Sequence, residues 1–109
     1  MNKEIMKGSI DILILSLIAQ RDTYGYDIAK TIKSKSNDLY KMGEGTLYSA
    51  LKRLENKSYI KSYWGSSEEG SRRKYYKITD DGQKALDKKY LEWKEINTLV
   101  DVCYQGVKI

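Results

Sequence analysis

Five polar side chains crowd one short stretch of the chain: Thr46, Tyr48, Ser49, Lys52 and Arg53. Leu47, Leu51 and Leu54 are interleaved with them at spacings of 4 and 3, which puts the leucines on one side of a helix and the polar groups on the remaining surface. Hydroxyl, ammonium and guanidinium groups displayed in this way suit phosphate oxygens and base edges. Farther along, Arg72, Arg73 and Lys74 follow one another in a stretch of aromatic and β-branched residues. Basic residues on a strand can track a nucleic-acid backbone or enter a minor groove. Tyr24, which opens an earlier helical stretch, is grouped with these eight as a DNA-contact candidate.

The charge distribution points the same way. Residues 1–39 carry six basic and five acidic groups, residues 40–77 nine and four, and residues 78–109 five and six, so the net +5 resides in the middle of the chain. Such a concentration favours a polyanionic partner. Catalysis has little to work with: the chain has no histidine, no glycine-rich loop beside a lysine and serine, and no carboxylate pair in a cleft-like pattern. No enzyme, cofactor or metal site is expected. Asp80 and Asp81, the strongest acidic pair, fit the first turn of a helix better than a cation.

These groups need elements to position them. A chain of 109 residues suits one compact unit, and 40% hydrophobic with 32% charged residues excludes disorder. The run Ile10–Ala19 is about half the length that crosses a bilayer, so no membrane segment is expected. The single cysteine, Cys103, can form no internal disulfide, and no secretory leader is evident; a cytoplasmic location follows as an expectation. Apolar periodicity predicts helices over 9–20, 24–36 and 44–57. The first is apolar on every side, a pattern that calls for a second subunit. Strands are predicted over 60–66 and 72–78 around a glycine-containing loop, with Trp64 and Tyr59, Tyr63, Tyr75 and Tyr76 packing the hairpin onto the helices. A last helix opens at Thr79 and presents Leu86, Tyr90, Trp93, Asn97, Val100 and Tyr104 as a seam. The expected fold is mostly α within the α+β class: a winged helix-turn-helix domain over 1–78 and a C-terminal dimerisation helix over 79–109. In that plan the third helix enters a major groove and the wing holds the backbone, which favours duplex DNA over RNA.

Tyr24-Gly25-Tyr26, the string GTLYSALKRLE from Gly45 to Glu55, SYWGSSEEGSRRKYYKIT from Ser62 to Thr79, and Asp81-Gly82 together resemble the PadR family of transcriptional regulators, in order and spacing, over nearly the whole chain. The resemblance implies a homodimeric repressor whose third helix and wing contact a palindromic promoter operator. Family members often have proline before and just inside the third helix, where this chain has Glu44 and Ser49. That departure bears on groove specificity rather than on the helix.

The chain looks especially similar to short members with one C-terminal helix that sense drugs. In those relatives a tryptophan on the last helix and its symmetry mate sandwich planar, often cationic, aromatic compounds. The resemblance gives that part to Trp93, with Ile96, Asn97 and Val100 from the same helix and Ile5, Gly8, Asp11 and Ile12 from the first. Asp11 would favour a cation, whereas Asn97 stands where such relatives often have an acid. Packing at a dimer seam is the competing role for Trp93. The alternative function is a ligand-binding or protein-docking module without operator recognition.

Overall fold

The computed structural model describes residues 3–106. One helical turn, α1 (Lys3–Met6), and a 3-10 turn (Lys7–Ser9) lead into α2 (Ile10–Gln20). There follow β1 (Thr23–Tyr24), α3 (Gly25–Lys35), α4 (Glu44–Asn56), β2 (Ile60–Ser66), β3 (Arg72–Ile78) and the long α5 (Asp80–Gln105). This is the winged helix-turn-helix plan: three packed helices, then a hairpin, then one further helix. Among the described residues no helix is long and apolar enough to cross a membrane.

The core forms where the apolar faces converge. Ile14, Leu15 and Ile18 of α2 meet Ile28 of α3, Leu47, Leu51 and Leu54 of α4, and Ile60 at the root of β2, all of them almost fully buried. The leucine spacing on α4 therefore does what it predicts. The remaining apolar side of α2 is half covered at Ile12, Leu13 and Leu17, and α5 packs along this helix.

The sheet is antiparallel in the order β1-β3-β2. Its smallest member lies outside the sequence expectation, which places a break and a helix start at 23–24. Thr23 pairs with Tyr76 and Tyr24 with Tyr75, so the chain joins the sheet for two residues before α3 begins at Gly25. Two residues are too few to display alternation. The Thr23 hydroxyl donates to the Asp27 carboxylate at 2.7 Å and fastens this strand to the first turn of α3.

The root of α5 is tightly fixed. Thr79 caps the helix by accepting from the Gly82 N–H at 3.0 Å, while its own hydroxyl donates to the Ser58 carbonyl at 2.7 Å. Asp80 and Asp81 occupy the first turn, where carboxylates complement the helix dipole. A Cβ at Gly82 would stand 2.0 Å from the Tyr59 carbonyl oxygen, so the close approach of α5 to the β2 entry requires glycine. Beyond this anchor Leu86 is buried, but every residue from Tyr90 to Gly106 is exposed, and the molecule measures 60 × 30 × 21 Å.

Candidate nucleic-acid interface and the groove beside the last helix

Helix α4 begins after Gly43, whose backbone is extended and whose carbonyl accepts from the Leu47 N–H at 3.0 Å. Burial of Leu47, Ala50, Leu51 and Leu54 turns the other side outward, and Thr46, Tyr48, Ser49, Lys52 and Arg53 are all exposed. They divide between two flanks. Tyr48 reaches toward the N-terminus of α3, where it shares a recess of about 290 Å³ with Tyr24, Gly25, Tyr26, Arg73 and Lys74. Its hydroxyl lies where a Cβ on Gly25 would be only 2.6 Å away. On the opposite flank Thr46, Ser49 and Arg53 line a second recess with Lys7 and Gly45. Lys52 stands exposed on the same helix.

Arg53 is not free to face DNA: its guanidinium donates to the Asp11 carboxylate at the start of α2. The pair joins a DNA-contact candidate to a ligand candidate 42 residues away, a link that sequence spacing does not reveal.

Side chains alternate along a strand, so the three consecutive basic residues of β3 cannot form one edge. The Arg72 guanidinium stacks over Trp64, 4.9 Å from the ring centroid, and Lys74 on the same hairpin face approaches Glu55 at 4.0 Å. Arg73 projects from the other face and stacks on Tyr24 at 4.4 Å. That face is an aromatic tile. Tyr75 meets Tyr24 edge-on at 5.5 Å and stacks with Tyr63 at 5.7 Å. Gly65 leaves room for the Tyr75 ring, which a Cβ there would approach to 2.8 Å.

The Tyr63 hydroxyl donates to Asp22 at 2.6 Å, and that bond to a carboxylate, with a lesser contribution from burial, raises the phenol pKa above its ordinary 10.0. Tyr76 is raised as well, by burial first and then by the Glu55 charge. Glu55 also accepts from the Ser62 hydroxyl at 2.6 Å, so one carboxylate ties the end of α4 to both wing strands. Trp64 departs from the expected packing role: at 61% exposure it lies on the wing surface beneath Arg72.

Between the N-terminal segment and α5 runs an open groove of about 820 Å³. Ile5, Gly8, Asp11, Ile12, Trp93, Ile96 and Asn97 are among the residues that line it. Val100, one turn farther out, is not among the lining residues and projects into solvent. Trp93 stacks on Tyr90 with centroids 6.3 Å apart and ring planes 16° from parallel. The Asn97 side-chain amide donates to the Trp93 carbonyl at 2.8 Å and is thereby engaged with its own helix. Lys7, Arg53, Lys89 and Glu92 also line the groove, and Asp11, the acid expected to favour a cation, is already paired with Arg53. Among the described residues no cluster of side chains suits a metal ion.

The arrangement defines a winged-helix DNA-binding regulator, and comparison with known proteins agrees. The model of the PadR-like transcriptional regulator family matches residues 14–88. A transcriptional regulator from Clostridium thermocellum is 42% identical, with a TM-score of 0.83 over 91% of this chain and 96% of that one. A PadR-like transcriptional regulator from Bacillus cereus is 30% identical, with a TM-score of 0.84 over 95% and 99%. An uncharacterised protein from Lysinibacillus sphaericus is 37% identical over 96% of each chain. The chain belongs to the PadR-like family of transcriptional regulators, whose members act through DNA rather than as enzymes.

Proposed function

We propose that this PadR-family regulator is a homodimeric repressor, that α4 and the wing bind an inverted-repeat promoter operator, and that a planar aromatic inducer enters the groove beside Trp93. The observation that carries the reading is the outer part of α5. Leu91, Trp93, Ile96, Leu99, Val100, Val102 and Tyr104 are each at least 43% exposed, an apolar surface that marks a protein interface rather than a free helix. A second copy of α5 supplies matching side chains under two-fold symmetry, and a two-fold protein reads a two-fold site. The partner is double-stranded DNA, and the compartment is the cytoplasm.

Because the groove contains Arg53, which is also on the reading helix, a ligand there acts on DNA affinity through a direct structural connection. Linkage requires that DNA weaken ligand binding by the same factor. Asp11 is engaged by Arg53, so aromatic shape rather than positive charge is the property that selects the ligand. The test is selection of duplexes from a random pool, followed by titration of the best site with planar aromatic compounds. The reading requires an enriched inverted repeat, weaker binding by Lys52→Ala and Arg73→Ala, and ligand-driven release abolished by Trp93→Ala. Absence of any enriched duplex would favour a docking or ligand-binding module instead.

A further inference from the structure

Lys3 from α1, Lys7 from the 3-10 turn and Lys41 from the loop before α4 line one recess of about 360 Å³ together with Gly43 and Thr46, at the N-terminal end of α4. All three lysines are exposed, and none forms an ion pair among the described residues. Glu4 is the acidic group in the recess, and it leaves the lysines in excess. Lys41 is held in place by its neighbours. Met42 after it is buried, and Tyr40 before it is fixed by donating its N–H to the Ser36 hydroxyl at 3.1 Å. Ile10, buried beneath the recess, anchors the segment that carries Lys7.

The position of this cluster relative to α4 gives it a role. Tyr48 and Glu55 lie on the flank of α4 that faces Arg73 and Lys74 of the wing. Thr46, Ser49 and Arg53 lie on the other flank, where Lys7 joins them. A major groove is about 12 Å wide and is bounded by a phosphate backbone on each side, so a helix seated in it meets both. The wing lies toward one backbone and the lysines toward the other.

We infer that Lys3, Lys7 and Lys41 form a second phosphate-binding edge, opposite the wing, which grips the other DNA strand across the groove occupied by α4. The inference rests on the DNA-binding reading and adds to it residues outside the reading helix and the wing. Phosphate contacts carry no sequence information, so these lysines contribute to affinity and salt sensitivity without altering which operator is chosen.

The experiment measures operator affinity of the full chain across a salt series. It compares the unaltered protein with Lys3→Gln/Lys7→Gln/Lys41→Gln and with the charge-matched control Lys84→Gln/Lys88→Gln/Lys94→Gln on α5. Each lost phosphate contact flattens the slope of log affinity against log salt by about 0.9, so the first triple variant loses about 2.7 per subunit, or about 5.4 for a homodimer on its operator, and the control little. Operator and unrelated duplex weaken in parallel. Neutral methylphosphonates placed singly along each strand provide a readout that needs no variant: affinity falls at phosphates on both sides of the α4 groove. A slope equal to the control's, or sensitivity on the wing side alone, overturns the inference while leaving DNA binding intact. An unaltered protein that shows no salt-sensitive DNA binding overturns both.

Discussion

Gly82→Ala is expected to destabilise the protein even though alanine is the better helix former. The new Cβ would lie 2.0 Å from the Tyr59 carbonyl oxygen, and ordinary contact begins at 3.4 Å, so the root of α5 and the start of β2 must part by about 1.4 Å. That oxygen accepts from the Thr79 N–H at 3.0 Å and from its hydroxyl at 3.1 Å, and the same hydroxyl donates to the Ser58 carbonyl at 2.7 Å, so three contacts cross the junction. A shift of this size stretches all three beyond hydrogen-bond length. At about 1 kcal/mol each the loss is about 3 kcal/mol. The helix propensity gained from replacing glycine returns at most about 1 kcal/mol, which leaves a net loss of about 2 kcal/mol. For a domain of this size that corresponds to a fall of roughly 8–15 °C in melting temperature. Thermal unfolding followed by circular dichroism at fixed protein concentration is the assay. An unchanged or higher Tm would refute the close-approach argument and reduce Gly82 to an ordinary helix glycine.

A glycine opposed to a side chain behaves differently. Gly25→Ala meets the free end of Tyr48 rather than backbone, so stability should change little while Tyr48 is displaced and operator affinity falls, as paired melting and binding assays would show. Asp11→Asn removes the carboxylate charge that holds Arg53. Since the pair is half exposed on the arginine side and worth roughly 0.5–1 kcal/mol, operator affinity should rise about two- to fivefold; a decrease would contradict the idea that Asp11 restrains Arg53. The Tyr63 phenol is raised above 10.0 in the folded protein by its bond to Asp22, so the folded state holds its proton to higher pH than the unfolded chain does. That contribution to stability is complete below pH 10 and is lost as pH rises through the folded value, and Tyr63→Phe should flatten the alkaline fall in denaturation midpoint.

The parts of the fold governed by one repeating pattern were readable from the chain. Leu47, Leu51 and Leu54 specify α4 and its exposed side because a helix has a fixed period, and the hairpin follows from its aromatic strands and from Gly70, which adopts φ 86°. The helix that opens after Thr79 was readable for the same reason. What remained hidden depends on pairs brought together by folding. The Arg53–Asp11 contact cannot be inferred from either residue's neighbours in sequence. β1 is two residues long and exists only because β3 lies beside it. Gly25 and Gly82 look like any helix glycine until the atoms opposite them are known. Arg72, Arg73 and Lys74 read as one basic block by charge, although the twofold period of a strand already separates Arg73 from the other two. Trp64 was assigned to packing by its size, yet its position toward the hairpin tip takes it past the edge of the core.

The central claim is that exposed groups of α4 and the wing bind an inverted-repeat operator. It is tested most directly by selecting bound duplexes from a random pool at about 0.15 M salt, where non-specific phosphate binding is weak. The account predicts enrichment of one inverted repeat with half-site centres about 34–36 Å, one helical turn, or a multiple apart, and loss of affinity for it with Lys52→Ala or Arg73→Ala. Recovery of no sequence preference, or of a preferred site indifferent to both substitutions, would contradict it.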